Sequence, residues 1–113
     1  MIDDQSEPGS WQEALQWKDK GINVISVEAV LKERGKRYGE FDQHAQITQN
    51  LKSVMHGTRN WVHFLADDHR EALEMIAHKI GRILNGDPNY ADSWLDIAGY
   101  AKLIADRLEK AND

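Results

Sequence analysis

The sequence predicts an all-α fold: a helical bundle built on a long C-terminal antiparallel helical hairpin and completed by oligomerisation. Two observations carry that expectation. Apolar residues recur at three- and four-residue spacing over residues 73–84 and again over 94–108, the period of a helix with one buried face. Glycines and an Asp-Pro pair punctuate the chain where helices of ordinary length should end or begin. At 113 residues the chain suits one domain, which at this size buries roughly two thirds of its unfolded surface. We divide it into residues 1–21, a mobile tail with a short amphipathic turn, and residues 22–113, a single α-helical domain.

The opening residues, Met1 to Gly9, are polar, acidic and rich in breakers. Ser10 is placed to cap a short amphipathic turn through Trp11, Leu15 and Trp17 that stops near Gly21. Two tryptophans so close together point to docking on the chain's own core or on a partner subunit. Ile22 to Val27 is β-branched enough to compete as a short strand. Ser26 is nevertheless a good helix cap, with Ile25 and Val30 spaced as a hydrophobic staple, so a helix is expected from about Val27 to Lys36. Gly35 and Gly39 bracket a basic turn, and Asp42 caps a second helix running to His56 before Gly57. Thr58 to Ala66 reads as an apolar connector tucked under the helices, with Trp61 in the core. A long helix then follows Asp67 and Asp68, with Leu73, Ile76, Ala77, Ile80, Ile83 and Leu84 on one stripe, and ends at Gly86. Pro88 suits the first position of the last helix, whose stripe is Trp94, Ile97, Ala98, Ala101, Ile104, Ala105 and Leu108. Two long helices joined by a few residues pack antiparallel.

Composition removes several function classes. The chain has no cysteine, which excludes disulfides, thiol nucleophiles and zinc-thiolate sites. Fourteen Lys and Arg against 19 Asp and Glu give a net charge of −5, the wrong sign for a generic duplex binder. No apolar run reaches the ~20 residues of a membrane span, and the acidic start does not resemble a signal peptide. The expectation is therefore a cytoplasmic protein with no duplex nucleic acid and no membrane as partner. His44, His56, His63, His69 and His78 lack a zinc-ligand spacing. No phosphate-cradling glycine loop or nucleophile elbow is present.

Glu71, Glu74, His78 and Arg82 share one face of the third long helix, with Lys79 at its edge, and Asp92 and Asp96 share a face of the last. Both faces lie nearly opposite the apolar stripes. Simple solvation explains them, with an Asp68-to-Glu71 capping box and local ion pairs. Yet the last helix also carries Gly99, Tyr100 and Leu103 on its polar face, an odd set for water. If that face is buried, its carboxylates need a cation or a basic partner, because an unpaired buried charge costs several kcal/mol. Hard cations such as Mg²⁺ take oxygen ligands and bridge to phosphates, so four carboxylates on two antiparallel helices form a chemically sensible cradle. Arg34, Lys36 and Arg37 make a small basic cluster beside Tyr38, usable for phosphate or base stacking. More often such a cluster is an ordinary solvated turn.

The segments Leu31 to Phe41, Glu71 to Gly86 and Asp92 to Tyr100 together resemble a phage and prophage helical domain family of unknown function, over roughly residues 27–110. More distantly, Glu71-x-x-Glu74 followed by a helix bearing Asp92 and Asp96 is similar to the MazG-like all-α nucleoside triphosphate pyrophosphohydrolases. Those use a Glu-x-x-Glu pair and a later Glu-x-x-Asp pair to bind magnesium; here the second pair is Asp92-x-x-x-Asp96. The resemblance implies a nucleotide-binding protein, a Mg-dependent hydrolase releasing monophosphate and pyrophosphate. Glu71, Glu74, Asp92 and Asp96 would be metal ligands, with Glu71 and Glu74 also catalytic. Lys79 and Arg82 are additions to that pattern that could grip phosphates, beside Arg37 and Tyr38 as further nucleotide contacts; an ordinary interhelix ion pair with Asp92 or Asp96 explains the two equally well. That family is usually oligomeric, and the usable second faces of both long helices, with Trp11 and Trp17 in a region too short to bury them, point to a homo-oligomer, a dimer first. The competing expectations are a non-catalytic phage accessory protein that binds or inhibits a host component, and a self-associating helical module with no ligand.

Overall fold

The structure, a computed structural model, describes residues 25–112. The expected N-terminal tail and the Trp11 to Trp17 turn lie outside the described residues. Among the described residues five helices follow one another: α1 Ile25–Tyr38, α2 Phe41–His56, α3 Arg59–His63, α4 Asp67–Asn85 and α5 Ala91–Asn112. No strand occurs among the described residues, and the β-branched stretch is helical from Ile25 onward.

Local chemistry accounts for most boundaries. α1 carries Glu28 in its first turn and Lys36 and Arg37 in its last, each charge matched to the helix dipole. Ser26 lies inside this helix rather than capping it. Gly39, at φ +79°, reverses the chain after α1, a backbone state glycine adopts without steric cost. α2 starts two residues earlier than a cap at Asp42 would set it, because Glu40 takes the extended cap position while Asp42 Oδ1 accepts from the Gln43 amide at 2.9 Å. α3 was not expected as a helix. Thr58 caps it, its hydroxyl accepting from the Trp61 amide at 3.3 Å. Trp61 is half-buried against the His56 ring, 4.6 Å between centroids, rather than in a core, and Phe64 is exposed. The capping box expected at Asp68 and Glu71 is replaced by His69, whose Nδ1 accepts from the Ala66 amide at 3.0 Å. Pro88 does not open α5; it sits in a turn where Asp87 Oδ1 accepts from the Asn89 amide, and the helix begins at Ala91.

α4 is the central element, with α5 along one side, α2 on another and the end of α1 at its C-terminus. α5 runs opposite to α4: Lys79 meets Asp96 at 3.0 Å, and Asp68, at the other end of α4, is gripped by both Nε and Nη2 of Arg107. α2 approaches α4 at Gly81, where an added Cβ would lie 2.5 Å from Thr48 Cγ2 and 3.0 Å from the His44 ring.

The burial pattern departs from the expected one. Among the described residues the only buried hydrophobic side chains are Ala72 and Ala77, while His44, Thr48, Lys79, Arg82 and Ser93 are buried polar groups. Leu73, Leu84, Trp94, Leu95, Leu103 and Leu108 are exposed, as is Ala98. Of the stripe on α5 expected to form the core, Trp94, Ala98, Ala101, Ala105 and Leu108 face outward while Ile97 and Ile104 are half-buried; the helix buries Ser93 and turns Asp96 and Arg107 toward α4. The physical reason is a partner already in place: the Lys79 ammonium satisfies Asp96, so the polar face is the one that buries. No described helix is long and apolar enough to cross a membrane.

Candidate functional site

Two turns, α1–α2 and α4–α5, are stitched together at one end of the bundle. Asn85 Nδ2 donates to the carbonyls of Tyr38 at 2.8 Å and Glu40 at 2.9 Å, and the Asp87 amide donates to the Arg37 carbonyl. Gly86 makes this possible: a Cβ there would penetrate the Arg37 and Tyr38 backbone. Against that stitch an aromatic and cationic cluster assembles from three elements. The Tyr38 and Tyr90 rings meet edge to face, centroids 6.2 Å apart. The Arg82 guanidinium, from α4, lies 4.2 Å from the centre of the Tyr38 ring, and that of Arg37, from α1, 4.7 Å from the centre of the Tyr90 ring.

Hydrogen bonds then order the rim. Arg37 Nη1 donates to the Tyr90 hydroxyl at 2.7 Å, and that hydroxyl donates to Asp92 Oδ2 at 2.9 Å. Arg37 Nη2 also pairs with Glu33 at 3.2 Å. The bond to Asp92 pushes the Tyr90 phenol above its usual pKa, because ionisation would set two anions side by side. Burial, reinforced by Tyr90, pushes Tyr38 up as well, with Arg34 and Arg37 opposing. Both tyrosines are thus neutral hydrogen-bonding groups at ordinary pH. Arg82 is buried, whereas Arg37 and the half-buried Arg34, Tyr38 and Tyr90 reach the surface. The arrangement offers aromatic edges beside guanidinium forks, a combination suited to a planar ring carrying phosphate.

Of the residues expected from sequence, Arg37, Tyr38, Arg82 and Asp92 are brought together here. Lys79 is not; it is fully buried and its ammonium holds Asp96. Glu74 accepts from His56 at 2.6 Å on the α2 side, and Glu71 is exposed. Tyr90 and Asn85 were missed by sequence reasoning. The available signal for Tyr90 was an aromatic residue inside the polar turn between Gly86 and Asp92.

The four carboxylates proposed for magnesium do not fit one shared ion within a single chain. The Lys79–Asp96 and Asp68–Arg107 contacts fix the register of α4 against α5. At about 1.5 Å per residue, that register sets Glu71 roughly 18 Å along the axis from the level of Asp92. One ion reaches only about 2–2.6 Å to each ligand. Among the described residues no group of three or more His, Asp or Glu is placed to hold a metal.

Fold and cluster together define an all-helical protein with a cationic, tyrosine-lined rim at its interhelical turns. The chain belongs to a domain family of unknown function, DUF6378, whose profile matches residues 25–108 and so takes in every residue of that rim. No curated protein and no solved structure matches it.

Proposed function

We propose that the protein binds a nucleotide at the rim formed by Arg34, Arg37, Tyr38 and Tyr90. The observation that carries this reading is the convergence of two tyrosines and their arginines from separate elements on one surface. A base stacked on such rings gains roughly 1–3 kcal/mol, and guanidinium forks match phosphate oxygens. Arg82, beneath Tyr38, holds that ring from inside, and Asp92 orients the Tyr90 hydroxyl. The negative net charge is compatible, because the ligand is small and only the local rim is basic.

Hydrolysis to monophosphate and pyrophosphate is the finer form of this reading, supported by the likeness to MazG-like enzymes. We derive no step through magnesium, since one chain does not gather the carboxylates. The test is calorimetric titration with a panel of nucleoside mono-, di- and triphosphates, with and without Mg²⁺, beside an assay for released pyrophosphate. Arg37→Ala is expected to weaken binding about tenfold or more, since a charge-assisted hydrogen bond is worth about 1.5–3 kcal/mol. Tyr90→Ala weakens it as well. No binding by any nucleotide, or binding indifferent to both substitutions, would overturn the proposal; pyrophosphate release in the wild type would add the enzymatic step.

A further inference from the structure

α5 presents to solvent an unbroken heptad seam. Ala91, Trp94, Ala98, Ala101, Ala105 and Leu108 succeed one another at alternating steps of three and four residues, the a and d spacing of paired helices. Every one of them is exposed, Trp94 at 55% and Leu108 at 39%. The face turned to α4 is a different one, marked by the contacts of Asp96 and Arg107. Leu95, 64% exposed, flanks the seam. The single polar atom of the Trp94 ring, Nε1, already donates to the Pro88 carbonyl at 2.9 Å, so what the ring offers outward is hydrocarbon. An apolar ridge running the length of a long helix is more than scattered surface residues explain.

We infer that this seam is the interface of a two-fold homodimer in which α5 packs antiparallel on the partner's α5. The order of side chains selects that occupant. In antiparallel pairing with a positions opposite d positions, Trp94 falls on the partner's Ala105, Leu108 on the partner's Ala91, and Ala98 on the partner's Ala101. Each bulky residue meets a small one, so the helices approach closely without gap or clash. Parallel pairing would set tryptophan on tryptophan and leucine on leucine, with alanine facing alanine between them.

Charge agrees with the antiparallel choice. Lys102 falls beside the partner's Leu95, covering it with its aliphatic stem while its ammonium remains on Asp106 at 3.1 Å. The half-buried Ile97 and Ile104 on the other flank meet the partner's Ile104 and Ile97, so both sides of the seam close without like charges in contact. The same register lays the partner's last turn next to Ala91, beside the Tyr90 and Asp92 rim. The dimer does not depend on that rim binding a nucleotide.

The test combines sedimentation equilibrium with cysteine pairing, which is clean because the chain has no cysteine of its own. The wild type is expected to sediment as a dimer. Ala98→Glu, which buries a carboxylate in each half of the seam, is expected to raise the dissociation constant by a factor on the order of a hundred, with far-UV circular dichroism unchanged. Should that variant fail to fold, the cysteine experiment decides alone. Ala98→Cys chains mixed with Ala101→Cys chains, distinguished by a tag on one, are expected to form the mixed disulfide well above either self-pair. A wild type that is monomeric at all concentrations overturns the proposal, as does preferential self-pairing of each cysteine variant, the mark of parallel helices.

Discussion

Lys79 has no exposed surface and its ammonium lies 3.0 Å from Asp96, which is only half-buried, so the pair compensates a fully buried charge. Removing one partner should cost far more than removing both. Asp96→Ala is expected to destabilise the fold by about 3–5 kcal/mol, and Lys79→Met with Asp96→Leu to recover most of that, measured by urea unfolding. His44 sets a pH dependence. Its ring is buried between α2 and α4, with Nε2 3.2 Å from His78 Nδ1. Burial lowers its pKa below the ordinary 6.5, aided by Lys52 and Lys79 and opposed by the adjacent Gly81 backbone. The unfolded chain therefore takes up this proton first as pH falls. The stability His44 contributes is complete above about pH 6.5 and is lost on acidification through its folded pKa. A melting temperature that falls between about pH 7.5 and 5.5 in the wild type, and falls less in His44→Gln, checks this.

Helix ends, more than helix middles, determine where the candidate site forms. Gly86 lets the end of α4 touch the end of α1, and Gly39 turns the chain so that Asn85 reaches two carbonyls. Gly86→Ala forces those backbones apart and is expected to cost about 1–3 kcal/mol, and to disperse the Tyr38–Tyr90 pair, seen as lost nucleotide binding in calorimetry. Thr58→Ala removes the cap of α3 and is expected to cost about 1 kcal/mol in thermal unfolding. α4 and α5 were legible in sequence because their periodic stretches are long. α3 was not, because five residues bear no period and its only signal is the Thr58 cap. The start of α5 was misplaced since Asp87 uses its carboxylate in a local turn rather than as a helix cap.

At the scale of the molecule, the described residues bury little large apolar surface, and the apolar ridge of α5 is exposed. In the dimer inferred above folding and association are linked, so the midpoint of thermal unfolding should rise with protein concentration in the wild type and stay constant in Ala98→Glu. A concentration-independent midpoint in the wild type would contradict the linkage. The rim and the seam lie on adjoining surfaces, so occupancy of one is measurable in the presence and absence of the other.

Sequence by itself determined the helical class, the limits of α4 and α5 to within a few residues, and the exclusion of thiol chemistry. Periodicity and composition are local properties, carried by each segment without its neighbours. It also singled out Arg37, Tyr38, Arg82 and Asp92, because charge and aromatic character are readable at any position. Only the tertiary structure decided which face of each helix is buried. A heptad stripe has the same pattern whether it meets a helix of its own chain or none of it, and Lys79 settled the matter by pairing with Asp96 and drawing the polar face inward. It alone also separated Glu71 and Glu74 from Asp92, and joined Tyr90 to Tyr38 across 52 positions of sequence. Distance along the chain says nothing of contact until the turns at Gly39 and Gly86 close.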